Sequence, residues 1–330
     1  LKIKEITIDV VYDEVFYDDY IQQGSSLKVA LMLPFRAEKY NIDTLKIKDI
    51  FTKNSTLVNI ATDFYLGAEI AIDSLRRRGV NIELNVYDTG FRRGNNVRTI
   101  ISEKDLNSND VVIGPMFSEE IELVASNVNT PIIFPVYSNK QSSFYVSNII
   151  KTSPEKSVFR EELEKYIKEN FDGGNIIIIS DNKSDNIQTS SSMKSSLEFG
   201  LINTESTVNI LTPIDGYIAK SRFLDIIKPN TKNWVIIATD NNVIVENVVN
   251  SLISLPEETT AKAFTFDKGR VYDKIDNRKL AKVGFTYVSD EFVEEESLAT
   301  RVFEKQYRNK NKALPSFYAT KGFDITYDIL

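Results

Sequence analysis

Residues 111–119 read VVIGPMFSE and indicate how the chain folds. The first three residues are β-branched and form a short run typical of a buried strand, which the pair Gly114-Pro115 ends. Ser118 follows at a position where serine caps a helix, because its side-chain oxygen can accept a hydrogen bond from a free backbone amide of the first turn. A strand followed directly by a helix is one unit of a parallel α/β sheet.

Similar units occur along the first half of the chain. Apolar runs typical of strands lie at 29–33, 82–86, 111–113 and 132–134. A helix is predicted over 59–78, where apolar residues recur at helical spacing, and Gly79 is expected to end it in a left-handed conformation.

The pattern starts again after Pro154. Strands are predicted at 176–179, 208–211, 235–238 and 263–266, and helices at 158–169, 191–199, 219–227 and 243–255. Two similar half-chains in 330 residues predict two α/β domains with parallel sheets. A strand at 283–288, a helix at 297–307 and the segment 318–330 complete one of them.

The composition excludes several classes of function. The chain has no cysteine and no histidine, which excludes thiol catalysis, Cys/His zinc sites and hydrolases with an imidazole base. A net charge of -7 argues against a nucleic-acid partner. The chain shows no apolar run long enough for a membrane span and no cleavable signal pattern. Residues 1–26 are interpreted as an acidic linker or an additional edge strand.

Two loops bear on cofactors and catalysis. The loop at 34–38, which contains Phe35, lacks the glycines that let a phosphate approach the backbone, so we expect no nucleotide cofactor, and we also expect no metal. Asp88-Thr89-Gly90 has the composition of half an aspartic protease site. It has no second copy and follows a strand of an α/β pattern, so a polar turn explains it better.

Ser118 has two interpretations. Its hydroxyl caps the following helix, or the hydroxyl and the free amides of that helix bind a carboxylate of a ligand, since the helix dipole favours negative charge there. A similar loop at 135–139, Pro-Val-Tyr-Ser-Asn, follows the next strand.

The order of these segments resembles that of the type I periplasmic solute-binding proteins, in the branched-chain amino acid receptor group. The segments that carry the resemblance are 28–35, 67–72, 86–88, 112–115 with Ser118, and 131–135. Segments 62–67, 113–115 and 318–324 are more closely similar to envelope lipoproteins in which this domain follows a peptidoglycan-binding LysM module. No LysM module is present in this chain, so residues 1–26 would be the rest of the connection to it.

This resemblance implies two Rossmann-like lobes joined by three crossing strands, with a ligand in the cleft where the carboxyl ends of both sheets meet. The crossings are expected near 144–151, 264–271 and 283–290. Lobe 1 is expected at 27–145 plus 288–330, and lobe 2 at 146–287.

The resemblance also implies a set of ligand-binding residues. In the amino acid receptors of this group, hydroxyls and amides that match Ser118 and Ser138 hold the ligand carboxylate, and an acidic group in the second lobe pairs with its ammonium. Tyr137 stands where a small residue is usual, and 181–183 lacks the expected aromatic residue, which leaves the ligand open. The complete predicted set is Phe35, Phe117, Ser118, Tyr137, Ser138, Asn139, Asp240, Asn241 and Asp267.

Three functions are compatible with these features. The first is a non-enzymatic envelope protein that binds an unknown polar small ligand, amino-acid-like or derived from the cell wall. The second is an interaction protein with a vestigial cleft that regulates peptidoglycan enzymes. The third is an acid-base hydrolase, which needs two carboxylates about 5 to 10 Å apart in one cleft.

Overall fold

The computed structural model of the protein describes residues 24–39, 56–256, 258–291, 294 and 296–330. The described strands are β1 (Ser26–Leu33), β2 (Asn81–Asp88), β3 (Val111–Ile113), β4 (Ile132–Phe134), β5 (Ile149–Lys151), β6 (Gly174–Ile179), β7 (Ser206–Leu211), β8 (Asn233–Ile237), β9 (Lys262–Thr265) and β10 (Thr286–Tyr287). The described α-helices are α1 (Thr56–Arg77), α2 (Asn96–Glu103), α3 (Ser118–Ala125), α4 (Lys156–Asn170), α5 (Ser184–Gly200), α6 (Lys220–Leu224), α7 (Asn242–Ile253), α8 (Asn277–Lys282), α9 (Leu298–Asn311) and α10 (Phe317–Ile329).

The chain divides into two compact units, Leu1–Thr152 with Glu295–Leu330, and Ser153–Glu294. Each unit contains one parallel five-stranded sheet. This confirms the predicted fold class of two α/β lobes with parallel sheets. The predicted lobe boundaries stay a prediction. Of the predicted lead-in at 1–26, residues 1–23 lie outside the described part of the chain.

The sheet of the first unit has the strand order β2-β1-β3-β4-β5. Strand β1 lies inside the sheet, and its last five residues are buried because helices cover both faces of the sheet. Apolar residues of α2 and α3 pack on the face that presents Met32 and Val112. The opposite face, which presents Leu31 and Ile113, packs against α1 and α10.

Helices α1 and α10 cross at two glycines. A β-carbon built on Gly67 would lie 1.8 Å from the carbonyl oxygen of Ala319, and one on Gly322 would lie 2.1 Å from that of Phe64. Each position therefore requires a residue without a side chain, because the two helix backbones approach within contact distance there. Gly67 and Gly322 both lie in segments that carry the family resemblance.

The sheet of the second unit has the strand order β10-β9-β8-β6-β7. Its isoleucine-rich strand β6 is buried from Asn175 onward. Alternate residues of β6 face opposite sides, so Ile176 and Ile178 pack with α4 and α5, whereas Ile177 and Ile179 pack with α7 and α8.

Several local predictions change in the structure. Strand β5 lies where the first crossing segment was expected, and helices α2 and α8 were not predicted. The chain passes between the two units after Thr152 and again near residue 294, and the three predicted crossing strands stay a prediction. The left-handed residue at the end of α1 is confirmed, since Gly79 has a φ of 96°.

Candidate functional site

The loops after β1, β2, β3 and β4 lie at the carboxyl edge of the first unit's sheet, because these strands run parallel. Asp88, the last residue of β2, binds the backbone of two loops at this edge. Its carboxylate accepts hydrogen bonds from the amides of Arg36, Ala37 and Gly90, at 3.0, 2.7 and 2.8 Å. These hydrogen bonds give Asp88 a structural role at the end of β2, which agrees with the interpretation of the triplet as a loop feature.

Glu119, in the first turn of α3, is the centre of a cationic cluster. Its Oε1 lies 2.8 Å from Arg92 Nη2, 2.9 Å from Lys140 Nζ and 3.5 Å from Arg93 Nη2. The hydrogen bond from Lys140, followed by that from its own backbone amide and that from Arg92, holds the pKa of Glu119 well below its usual range. We name Arg92, Arg93, Lys140 and Glu119 the Glu119 cluster.

Ser118 does not cap α3, which corrects the first interpretation. Phe117 occupies the position before the helix, and no side chain there caps the free amides. Ser118 is the first helical residue, is buried, and its hydroxyl donates to Glu119 Oε2 at 3.4 Å. The hydroxyl of Ser118 therefore already has a carboxylate partner within the chain, and its contact with a ligand carboxylate stays a prediction.

Glu120, the next residue, has the opposite environment. It is 5% exposed, and its Oε1 accepts a hydrogen bond from the backbone amide of Arg93 at 3.1 Å. Its Oε2 has no hydrogen-bond partner among the described residues. Burial is the main reason that the pKa of Glu120 is raised to about 7, and the charge of Glu119 raises it further.

The loop after β4 is held by its own hydrogen bonds. Ser138 Oγ accepts from the amide of Lys140 at 3.2 Å, and the amide of Ser138 donates to Gln141 Oε1 at 3.2 Å. Tyr137 and Asn139 are exposed beside it. The turn places Lys140 against Glu119, while the contact of Ser138 with a ligand stays a prediction.

The predicted aromatic residues are only partly exposed. The ring of Phe35 packs edge-on against Tyr65, with 6.0 Å between the ring centroids. The guanidinium of Arg92 lies 5.4 Å from the ring centroid of Phe117. Phe117 therefore makes a cation-π contact with one cation of the Glu119 cluster.

In the second unit, the predicted acids already pair with lysines. Asp240 Oδ1 lies 2.7 Å from Lys183 Nζ, and this hydrogen bond lowers the pKa of Asp240. Asp267 Oδ2 lies 2.5 Å from Lys156 Nζ. Asn241 caps α7, since its side chain accepts from the amides at 243 and 244. Asp240 and Asp267 follow neighbouring strands, so the structure brings both acids to one edge of the second sheet.

Sequence reasoning missed the cations of both edges. Arg92 and Arg93 follow β2 directly, and Lys140 lies just beyond the predicted loop at 135–139. Their position after strands of a parallel sheet could have identified them. The prediction searched those positions only for acids, hydroxyls and aromatic residues.

Within the described part of the chain, no group of three or more acidic side chains is placed to hold a metal ion. The described helices also include none with the length and apolar character that crossing a membrane requires.

Comparison with solved structures identifies the fold. The chain is similar to a candidate branched-chain amino acid ABC transporter protein from Rhodospirillum rubrum, with a TM-score of 0.60, 12% identity, and coverage of 91% of this chain and 82% of that one. It is also similar to an ABC-type branched-chain amino acid transporter protein from Rhodopseudomonas palustris, with a TM-score of 0.56, 13% identity, and coverage of 91% and 78%.

A third similar structure is an ABC transporter substrate-binding protein from Desulfitobacterium hafniense in complex with leucine, with a TM-score of 0.51, 13% identity, and coverage of 92% and 82%. These likenesses show the type I periplasmic binding protein fold. No family model and no curated protein sequence matches the chain.

Proposed function

We propose that the chain is a non-enzymatic binding protein of the bacterial cell envelope that binds a polar small ligand with an anionic group, amino-acid-like or derived from the cell wall. The observation that carries this proposal is the Glu119 cluster, in which three cations surround one carboxylate. The cluster lies at the carboxyl edge of a parallel sheet, the edge at which open α/β sheets bind ligands.

The charge of the Glu119 cluster favours an anionic ligand group. Glu119 neutralises one of its three cations, so a net positive charge remains. The side chains of Arg92, Arg93 and Lys140 are 48%, 73% and 59% exposed, and they can therefore turn toward a ligand. Glu119 competes with the ligand for the same cations, and the hydroxyl of Ser118 is a neutral donor to the same carboxylate.

The acids of the second unit are open to a positive group of a small molecule. Asp240 and Lys183 are 71% and 61% exposed, and exposed ion pairs of this kind contribute only about 0 to 1 kcal/mol. A ligand ammonium can thus replace a lysine at little cost. Asn241 is engaged as a helix cap, which assigns it a positioning role.

Thermal melting with amino acids, short peptides and muropeptides tests the proposal. A ligand present at 100 times its Kd stabilises the protein by about 2.7 kcal/mol. The double variant Arg92→Gln/Lys140→Gln should lose that shift, whereas Arg98→Gln, an exposed arginine on α2, should keep it. If no compound shifts the melting temperature of the unaltered protein, the proposal is wrong.

Two single variants address the carboxylate position itself. Glu119→Gln removes the internal competitor and should raise the affinity for an anionic ligand by about tenfold, the effect of roughly one charged hydrogen bond. Ser118→Ala should weaken a carboxylate ligand and leave the fold intact. Unchanged affinity in Ser118→Ala would remove that hydroxyl from the site.

The internal carboxylate also favours a second candidate function. If Glu119 occupies the anion position permanently, the edge is closed to small ligands, and the protein acts as an interaction module on peptidoglycan enzymes, connected to the cell wall through a LysM module or a lipid anchor elsewhere in the full protein. In that case, Glu119→Gln should gain binding of small carboxylates that the unaltered protein does not bind at all.

A further inference from the structure

The second unit contains a small cavity with an aromatic floor. Its volume is about 260 Å³, and its walls include Tyr272, Phe285 and Tyr287. The rings of Tyr272 and Phe285 stack at 4.7 Å between centroids with 29° between their planes, and Phe285 lies 5.8 Å and 31° from Tyr287. The three rings therefore give the cavity an aromatic lining, which favours an aromatic guest.

The rim of this aromatic cavity carries opposite charges. Lys268, Asp273 and Asn277 line it, and none of the three is buried. Lys268 Nζ lies 4.7 Å from the ring centroid of Tyr287, which places its ammonium over the aromatic wall. Among the described residues, neither Lys268 nor Asp273 takes part in an ion pair. Both charges are therefore available to a bound molecule.

From this combination we propose that the aromatic cavity is a second ligand site, which binds a small aromatic zwitterion such as an aromatic amino acid. The ring of the guest contacts the aromatic lining at Phe285 and Tyr287, Lys268 binds its carboxylate, and Asp273 binds its ammonium. The volume lies just below the range of about 300 to 1,000 Å³ for drug-sized ligands, which restricts the guest to a small molecule. This inference does not depend on the Glu119 cluster.

Calorimetric titration with four compounds tests the assignment. L-phenylalanine carries all three features, 3-phenylpropionate lacks the ammonium, 2-phenylethylamine lacks the carboxylate, and L-alanine lacks the ring. We expect L-phenylalanine to bind tightest. Lys268→Met should weaken L-phenylalanine and 3-phenylpropionate by about tenfold, because a charge-assisted hydrogen bond is lost, and should leave 2-phenylethylamine unchanged. Asp273→Asn should weaken only the two ammonium compounds with rings.

Lys274→Met is the matched control, since Lys274 is exposed next to Asp273 but does not line the aromatic cavity. It should bind all four compounds as the unaltered protein does. The assignment is wrong if L-phenylalanine does not bind at millimolar concentration, or if Lys268→Met and Lys274→Met behave alike. Binding of L-phenylalanine that is lost in Lys140→Gln and retained in Lys268→Met would also overturn it, while supporting a ligand at the Glu119 cluster.

Discussion

Replacing Glu120 by glutamine should make the protein more stable at high pH and change little at low pH. In the folded protein, the pKa of Glu120 is raised from 4.5 to about 7, mainly by burial. A carboxyl group whose pKa is raised on folding binds its proton more tightly in the folded state. Stability is therefore lost as pH rises from 4.5 to about 7, when the buried carboxyl group must ionise.

The magnitude follows from the same pKa. Each pKa unit corresponds to about 1.4 kcal/mol, so the rise from 4.5 to about 7 corresponds to about 3 kcal/mol. The glutamine side chain in the Glu120→Gln variant keeps an oxygen for the amide of Arg93 and does not ionise. The free energy of unfolding of Glu120→Gln minus that of the unaltered protein should therefore grow by about 3 kcal/mol between pH 4.5 and pH 8.

Urea denaturation followed by circular dichroism at several pH values measures this difference. Glu122→Gln, on the same helix but with a less buried side chain, is the matched control. A difference between Glu120→Gln and the unaltered protein that is the same at every pH would refute the reasoning, because it would mean that Glu120 does not change its protonation on unfolding in this range.

Two further substitutions test the scaffold around the site. A typical point substitution destabilises a protein by about 1 kcal/mol, and Gly322→Ala should destabilise the first unit by more, because the added carbon would lie 2.1 Å from the carbonyl oxygen of Phe64. Thermal denaturation measures the loss. Gly269→Ala is the control, since no atom lies within 4 Å of its added carbon. Asn241→Ala should cost about 1 kcal/mol through loss of the helix cap. Asn242→Ala, at an exposed position one residue later, should cost less in the same urea denaturation, and equal losses would contradict the capping role.

Most of the fold could be predicted from the sequence because its signals are local. Buried strands such as β3 and β6 are continuous apolar runs rich in β-branched residues, and α1 has apolar residues at helical spacing. The apolar pattern did not show strand β5, which only the family resemblance suggested, because it is an edge strand with Ile150 45% exposed and no buried apolar run. Helix α2 escaped because it has eight residues, only two of them buried, and no side-chain cap.

The candidate site could be predicted only in part, since its pairing depends on distant segments. The prediction placed Ser118, Ser138, Asp240 and Asp267 after strands, and the structure does place them at the sheet edges. Their partners could not be inferred from spacing. Lys156 and Asp267 are 111 residues apart, and sequence alone does not show which of many lysines meets which acid.

The pairing of Glu119 with its neighbouring cations affects how ligand binding at this edge of the sheet can be measured. Because the carboxylate of Glu119 accepts hydrogen bonds from Ser118, Arg92 and Lys140, weak binding by the unaltered protein would have two different causes: competition from Glu119, or an edge that no ligand enters even when Glu119 is replaced. Salt does not separate them. The Glu119 pairs are partly exposed, so raising the salt concentration screens both the internal carboxylate and the ligand. Substitution of Glu119 removes only the internal competitor, and this is why Glu119→Gln separates the two causes where salt does not.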